Sequence, residues 1–238
     1  NVNHKMPNLR FFEFGNCYHY SPEKKNDEDP IKAYTEEMHL GMWLTGKRVE
    51  GSWAHADEQS SFYELKAYVM NIFTRLGVNP GIVVTESSDN NVFGKALALK
   101  ARSGKVLCEM GIVSHKLLKK MDIEQEVFYA DINWDNMMRA IKKNEVLYHD
   151  ICKFPSVSRD LALLLDKNVQ FEQIEQIARQ TEKKLLKSVE LFDVYEGKNL
   201  PEGKKSYAVN FILQDETKTL NDKQIEAIMS KLINNLKT

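Results

Sequence analysis

The sequence predicts an α+β protein of two domains. In the first 150 residues, apolar runs of strand length outnumber amphipathic helical ones, without the strand–helix alternation of a doubly wound sheet. Composition changes near Tyr148, and from Arg159 onward the elements read β-α-β-β-α, a ferredoxin-like arrangement without its last strand. One domain is therefore placed at residues 1–150 and the second at residues 151–238.

In the first domain, Leu9 to Gly15 is a short aromatic run ended by Gly and reads as a strand. Residues 21–37 are charged, hold two Pro and show no apolar period, so they read as a loop. His39 to Gly46 reads as the second strand. Ser61 and Glu64 have capping-box spacing, and Phe62, Leu65, Val69, Phe73 and Leu76 recur at helical intervals before Gly77. Ala96 to Ala101, Val106 to Val113 and Val127 to Ile132 read as strands. Ser114 to Lys120 and Trp134 to Lys143 read as short helices, with Met137, Met138 and Ile141 expected in a core or subunit contact.

Lys153-Phe154-Pro155-Ser156 reads as a linker, since Pro holds the residue before it extended. Arg159 to Leu165 is expected as a buried strand. A helix from Val169 to about Gln180 turns Ile174, Ile177 and Ala178 inward. Strands follow at Leu186 to Glu196 and Lys204 to Gln214, around a polar loop from Gly197 to Gly203. The last helix has Asn221 as its cap with Gln224 three residues on, and buries Ile225, Ile228, Met229, Leu232 and Leu236.

A sheet of this second kind carries both helices on one face and leaves the other free. Strict alternation puts Leu191, Asp193 and Tyr195 on one face of their strand and Phe192 and Val194 on the other. In the next strand Tyr207, Val209, Phe211 and Leu213 share the helix side, leaving Ser206, Ala208 and Asn210 opposite. Asp193, Tyr195, Ser206 and Asn210 thus gather on the open face. A ring flanked by hydrogen-bonding groups suits an unstacked base, and Lys198, Lys204 and Lys205 beside it suit phosphates. The plainer alternative is a half-buried strand tyrosine beside a solvated lysine turn.

Composition excludes several classes. No apolar run approaches the roughly 20 residues of a membrane span. The three cysteines, Cys17, Cys108 and Cys152, lie far apart, which gives neither a disulfide framework nor a zinc ribbon and fits a reducing cytoplasm. Lys+Arg 33 against Asp+Glu 34 gives a net charge of −1, with no general affinity for DNA or for a membrane surface. Dividing the chain exposes no hidden basic domain, since residues 151–238 hold 14 Lys+Arg against 13 Asp+Glu. The chain starts at Asn1 without an initiator Met or anything like a signal peptide, as a piece of a longer protein would. His149 and Cys152 are a single pair at metal-ligand spacing, too little for a metal site. Cys108 in its apolar strand reads as core.

The joint succession of motifs carries a resemblance. Phe154 to Asp160, Leu191 to Gly197, Gly203 to Ser206 and Thr219 to Asp222 resemble the anticodon-binding domain of bacterial phenylalanine–tRNA ligase beta subunits. Leu9 to Gly15 with Cys17-Tyr18, then Gly41, Gly46, Trp53 and Phe62 to Lys66, resemble the catalytic-like domain of the same subunit. Residues 82–93 depart from the family's usual sequence. The resemblance implies a class II synthetase-like antiparallel sheet domain, without catalytic function, followed by the anticodon-binding domain. It implies an α2β2 enzyme whose alpha subunit uses ATP and Mg to attach phenylalanine to tRNA(Phe). The implied partners are tRNA(Phe), the alpha subunit and a second beta subunit. Asp193, Tyr195 and Ser206 match positions serving anticodon recognition. Phe12-Glu13-Phe14-Gly15 stands where an active class II enzyme has an Arg-x-Glu strand for ATP, so neither catalytic residues nor a cofactor are expected in this chain. The rival is a regulatory ferredoxin-like module that binds a free amino acid, with no role in tRNA charging.

Overall fold

The structure, a computed structural model, describes residues 5–26, 29–78, 83–87, 92–101, 103–142, 148 and 150–237. The chain divides into two compact units, Asn1–Leu147 and Tyr148–Thr238.

The first unit is built on a six-stranded, wholly antiparallel sheet. Its strands are β1 (Leu9–Tyr20), β2 (Tyr34–Thr45), β5 (Val83–Ser87), β6 (Phe93–Ala101), β7 (Val106–Val113) and β8 (Val127–Asn133). They lie in the order β1-β2-β8-β7-β6-β5. A two-stranded ribbon of β3 (Lys47–Val49) and β4 (Glu58–Gln59) leads into α1 (Phe62–Arg75). Shorter helices α2 (His115–Lys120) and α3 (Trp134–Ile141) follow β7 and β8. Leu65, Val69 and Phe73 of α1 and Met137 of α3 pack on Leu40, Leu44, Met110, Phe128, Ala130 and Ile132 of the sheet. Cys108 lies in this core, and burial pushes its thiol pKa well up.

Two expectations change here. Residues 21–37 are not simply loop: Pro22–Lys24 and Pro30–Ala33 form 3₁₀ turns, and β2 begins at Tyr34. Thr35, Glu36 and Glu37 pair with His19, Tyr18 and Cys17, so a backbone ladder overrides their charged composition. The capping box of α1 is half made. Ser61 accepts from the Glu64 N–H at 3.3 Å, but the Glu64 carboxylate turns inward to Arg10 (3.4 Å) and the Tyr68 hydroxyl (3.0 Å). The strand β5 falls within residues 82–93.

The second unit runs β9 (Val157–Asp166), α4 (Phe171–Thr181), β10 (Leu186–Tyr195), β11 (Lys204–Leu213), α5 (Asp222–Leu236). Its three strands lie antiparallel in the order β10-β11-β9, placing β11 centrally. One face packs Val209, Phe211 and Leu213 against Ile174 and Ala178 of α4 and Ile225, Ile228 and Leu232 of α5. The Asn221 box at α5 is complete: its side chain accepts from the Gln224 N–H at 2.9 Å, and Gln224 returns to the Asn221 N–H at 3.3 Å. The strand β9 is only half-buried, because its alternate residues face away from the helices. On α4, Ile177 is exposed, while Thr181 takes the inward place one turn after Ala178 and two after Ile174.

Candidate functional site

Antiparallel partners share a face, so the register of the second unit writes out its uncovered surface row by row. Tyr195 of β10 faces Ser206 of β11, which faces Leu164 of β9. The next row is Asp193, Ala208 and Ala162, and the third is Glu190, Asn210 and Asp160. Asp193, Tyr195, Ser206 and Asn210 therefore stand together on the open face, as alternation requires.

A β-bulge between Leu191 and Asp193 corrects the rest of that strand. The extra residue is Phe192, and it resets the phase of the strand. Leu191 thereby sits opposite Val209 on the helix side, where unbroken alternation put it with Asp193. Val194 pairs with Tyr207 on the helix side yet is 48% exposed, and Phe192, expected to face the helices, is 59% exposed. The bulge also tightens the local twist at the end of β10 that carries Asp193 and Tyr195.

Tyr195 remains 44% exposed. Its ring lies against the backbone at Gly197, where an added Cβ would run into Oη, Cζ and Cε2 of the phenol. Among the described residues, no hydrogen bond engages the Asp193, Tyr195 or Ser206 side chains, so their donors and acceptors stay available. Asn210 differs. Its amide donates to Ser158 Oγ and, at 2.6 Å, to Asp160 Oδ1, which spends it on tying β11 to β9.

The three lysines separate. Lys198 is exposed in the loop that joins β10 to β11. Lys204 holds Asp166 at 2.8 Å across the β11–β9 pair. Lys205, expected beside the open-face group to meet phosphates, is 7% exposed and turned to the opposite face. It has the parity of Tyr207, donates to the Tyr207 hydroxyl at 2.7 Å, and lies 4.5 Å from the centre of that ring. Its aliphatic stem packs while its ammonium finds a phenol, so it is not a surface cation. Lys167 replaces it. This exposed residue lines a hollow of about 310 Å³ with Lys198 and Lys204, beside the loop that follows Tyr195. A turn residue after β9 gave no periodic signal to mark it.

In the first unit, the sheet face away from the core carries Glu13, Glu37 and Asp131, and no Lys or Arg on β1, β2 or β8. His39 bridges two of these carboxylates, with Nδ1 2.7 Å from Asp131 and Nε2 3.5 Å from Glu37. Burial pushes this imidazole down, but the hydrogen bond and charge of Asp131, then those of Glu37, outweigh it and leave the pKa raised. On these three strands the carboxylates have no strong cation beside them, which opposes a bound triphosphate there. Among the described residues, no three His, Cys, Asp or Glu side chains converge as a metal would need. His149 lies outside the described residues, so the His149–Cys152 pair has no geometry here.

Comparison with known proteins gives two family matches. Residues 1–134 match the phenylalanyl tRNA synthetase beta chain CLM domain, and residues 152–238 match the ferredoxin-fold anticodon binding domain. The chain is 58% identical over 236 residues to the phenylalanine–tRNA ligase beta subunit of Bacteroides thetaiotaomicron, covering 99% of this chain and 29% of the relative. The subunit of the same name from Porphyromonas gingivalis is 50% identical over 232 residues, covering 98% and 28%. That from Clostridium acetobutylicum is 30% identical over 238 residues, covering 99% and 27%. The chain thus spans under a third of the length of these relatives. Among solved structures, pyrrolysyl-tRNA synthetase from Desulfitobacterium hafniense aligns at TM-score 0.39 and 15% identity over 56% of this chain and 42% of that one, too slight a likeness to bear on fold or function.

Proposed function

The chain belongs to the phenylalanyl-tRNA synthetase beta chain family, and from that premise we propose that its second unit, in the subunit that contains it, grips the anticodon loop of tRNA(Phe). The observation that supports this most is the row geometry at one end of the open face. Tyr195 offers a stacking ring, Asp193 and Ser206 offer unengaged polar groups in adjoining rows, and Lys167, Lys198 and Lys204 gather at the adjacent loop. Single-stranded loops are read in this way, by splayed bases stacked on aromatics and hydrogen-bonded along their edges.

In this reading the first unit is a class II synthetase-like sheet that has left catalysis and serves packing within an α2β2 ligase. The alpha subunit would activate phenylalanine with ATP and Mg and transfer it to tRNA in the cytoplasm. The acidic sheet face of the first unit supports a silent role, because adenylate chemistry needs cations around the phosphates. The division at about residue 150 then separates a packing domain, 1–150, from an RNA-binding domain, 151–238.

The test is tRNA(Phe) binding and charging by the complete beta subunit paired with alpha. Tyr195→Ala should weaken binding about 10- to 100-fold, the range of one lost base–aromatic stack, whereas Tyr195→Phe should hold. Asp193→Ala should weaken it as well. Wild-type affinity and charging in both alanine variants would overturn the assignment.

A further inference from the structure

We infer that Leu164 of β9 seats a second unstacked base, next to the one on Tyr195; this rests on the anticodon-loop reading above. From Tyr195 the open face extends in three directions, and two are closed to a base. Along the strands toward Ser158, the third row presents Glu190 and Asp160, whose carboxylates repel a phosphodiester, and Asn210 there is already bonded. Toward the loop lie Lys167 and Lys198, which suit the RNA backbone rather than a base face. Across the sheet, the Tyr195 row continues through Ser206 to Leu164, which is 54% exposed.

A single leucine on a surface asks for no explanation. This one does, because it shares the open face with the exposed Tyr195 of its own row and the exposed Ala162 of the next. Two strand spacings, about 10 Å, separate β10 from β9. That is more than one stacked base occupies, so the row holds two consecutive nucleotides with Ser206 between them. The first stacks on Tyr195 within reach of Asp193. The second lies on the Leu164 side chain and buries its apolar area.

The experiment uses the complete subunit paired with alpha, and tRNA(Phe) carrying an abasic site at each anticodon-loop position in turn. Wild type should lose affinity at two neighbouring positions. Leu164→Ser should bind intact tRNA about 3- to 10-fold more weakly and should become indifferent to one of those two positions only. Leu164→Met should restore both affinity and sensitivity. If Leu164→Ser binds like wild type while Tyr195→Ala fails, the second seat is wrong and the anticodon-loop reading survives. If Leu164→Ser weakens binding but stays sensitive to both positions, the leucine is structural and the inference falls. If Tyr195→Ala and Leu164→Ser both bind like wild type, the anticodon-loop reading falls with it.

Discussion

Tyr195 owes its position to a neighbour without a side chain. The phenol lies over Gly197, two residues on, in space that any Cβ would take. The glycine thus acts by being small, and a methyl group there must displace the ring or the turn. Gly197→Ala is expected to weaken tRNA binding by the complete subunit about 10-fold, as a misplaced stack should. The melting temperature should stay near wild type, since Tyr195 is 44% exposed and contributes little to the core. Filter binding beside a thermal melt checks both halves, and unchanged binding would show that the ring needs no support. Sequence reasoning placed Asp193, Tyr195 and Ser206 on the open face because alternation is a local property. It misplaced Lys205 by applying proximity in sequence to a strand, where adjacent residues point apart. The parity that put Ser206 on the open face puts Lys205 beneath it, on the phenol of Tyr207.

Among the elements, those with local signals were legible and those fixed by pairing were not. Asn221 with Gln224 announced α5, and Ser61 announced α1, because a cap is written within four residues. The bulge in β10 left no mark: whether Phe192 is an extra residue depends on β11, and so does the turn of Leu191 toward the helices. Tyr34 to Glu37 read as loop since nothing in those residues reveals that β1 pairs with them. A pairing of the same kind carries a titratable tie, because His39 of β2 reaches Asp131 of β8 at 2.7 Å. Its folded pKa is raised, so the stabilisation is fully present below the unfolded value of about 6.5 and is lost as pH rises through the folded value. Urea unfolding of the first unit should therefore show a midpoint that declines as pH climbs above about 6.5 toward the raised folded value. His39→Gln should flatten that decline, whereas an unaltered profile in the variant would place the slope on other groups.

Over the whole molecule, the charge balance limits how RNA is held. A net charge of −1 and a near-even second unit leave no broad field to attract a polyanion. Three cations line the loop hollow, and Asp166 already engages Lys204 at 2.8 Å, leaving Lys167 and Lys198 as the chief candidates for phosphate. Two neutralised phosphates on a single strand give a log–log salt slope of only about −1.4, from roughly −0.7 for each contact. Stacking and edge contacts are not ionic, so affinity and salt dependence should come apart under mutation. In the complete subunit paired with alpha, Lys198→Ala should move the slope toward zero by about 0.7. Tyr195→Ala should lower affinity at every salt concentration and leave the slope where it was. Titrations of tRNA(Phe) across a tenfold range of salt decide the matter, because a slope altered by Tyr195→Ala would mean that the ring positions the backbone instead of a base.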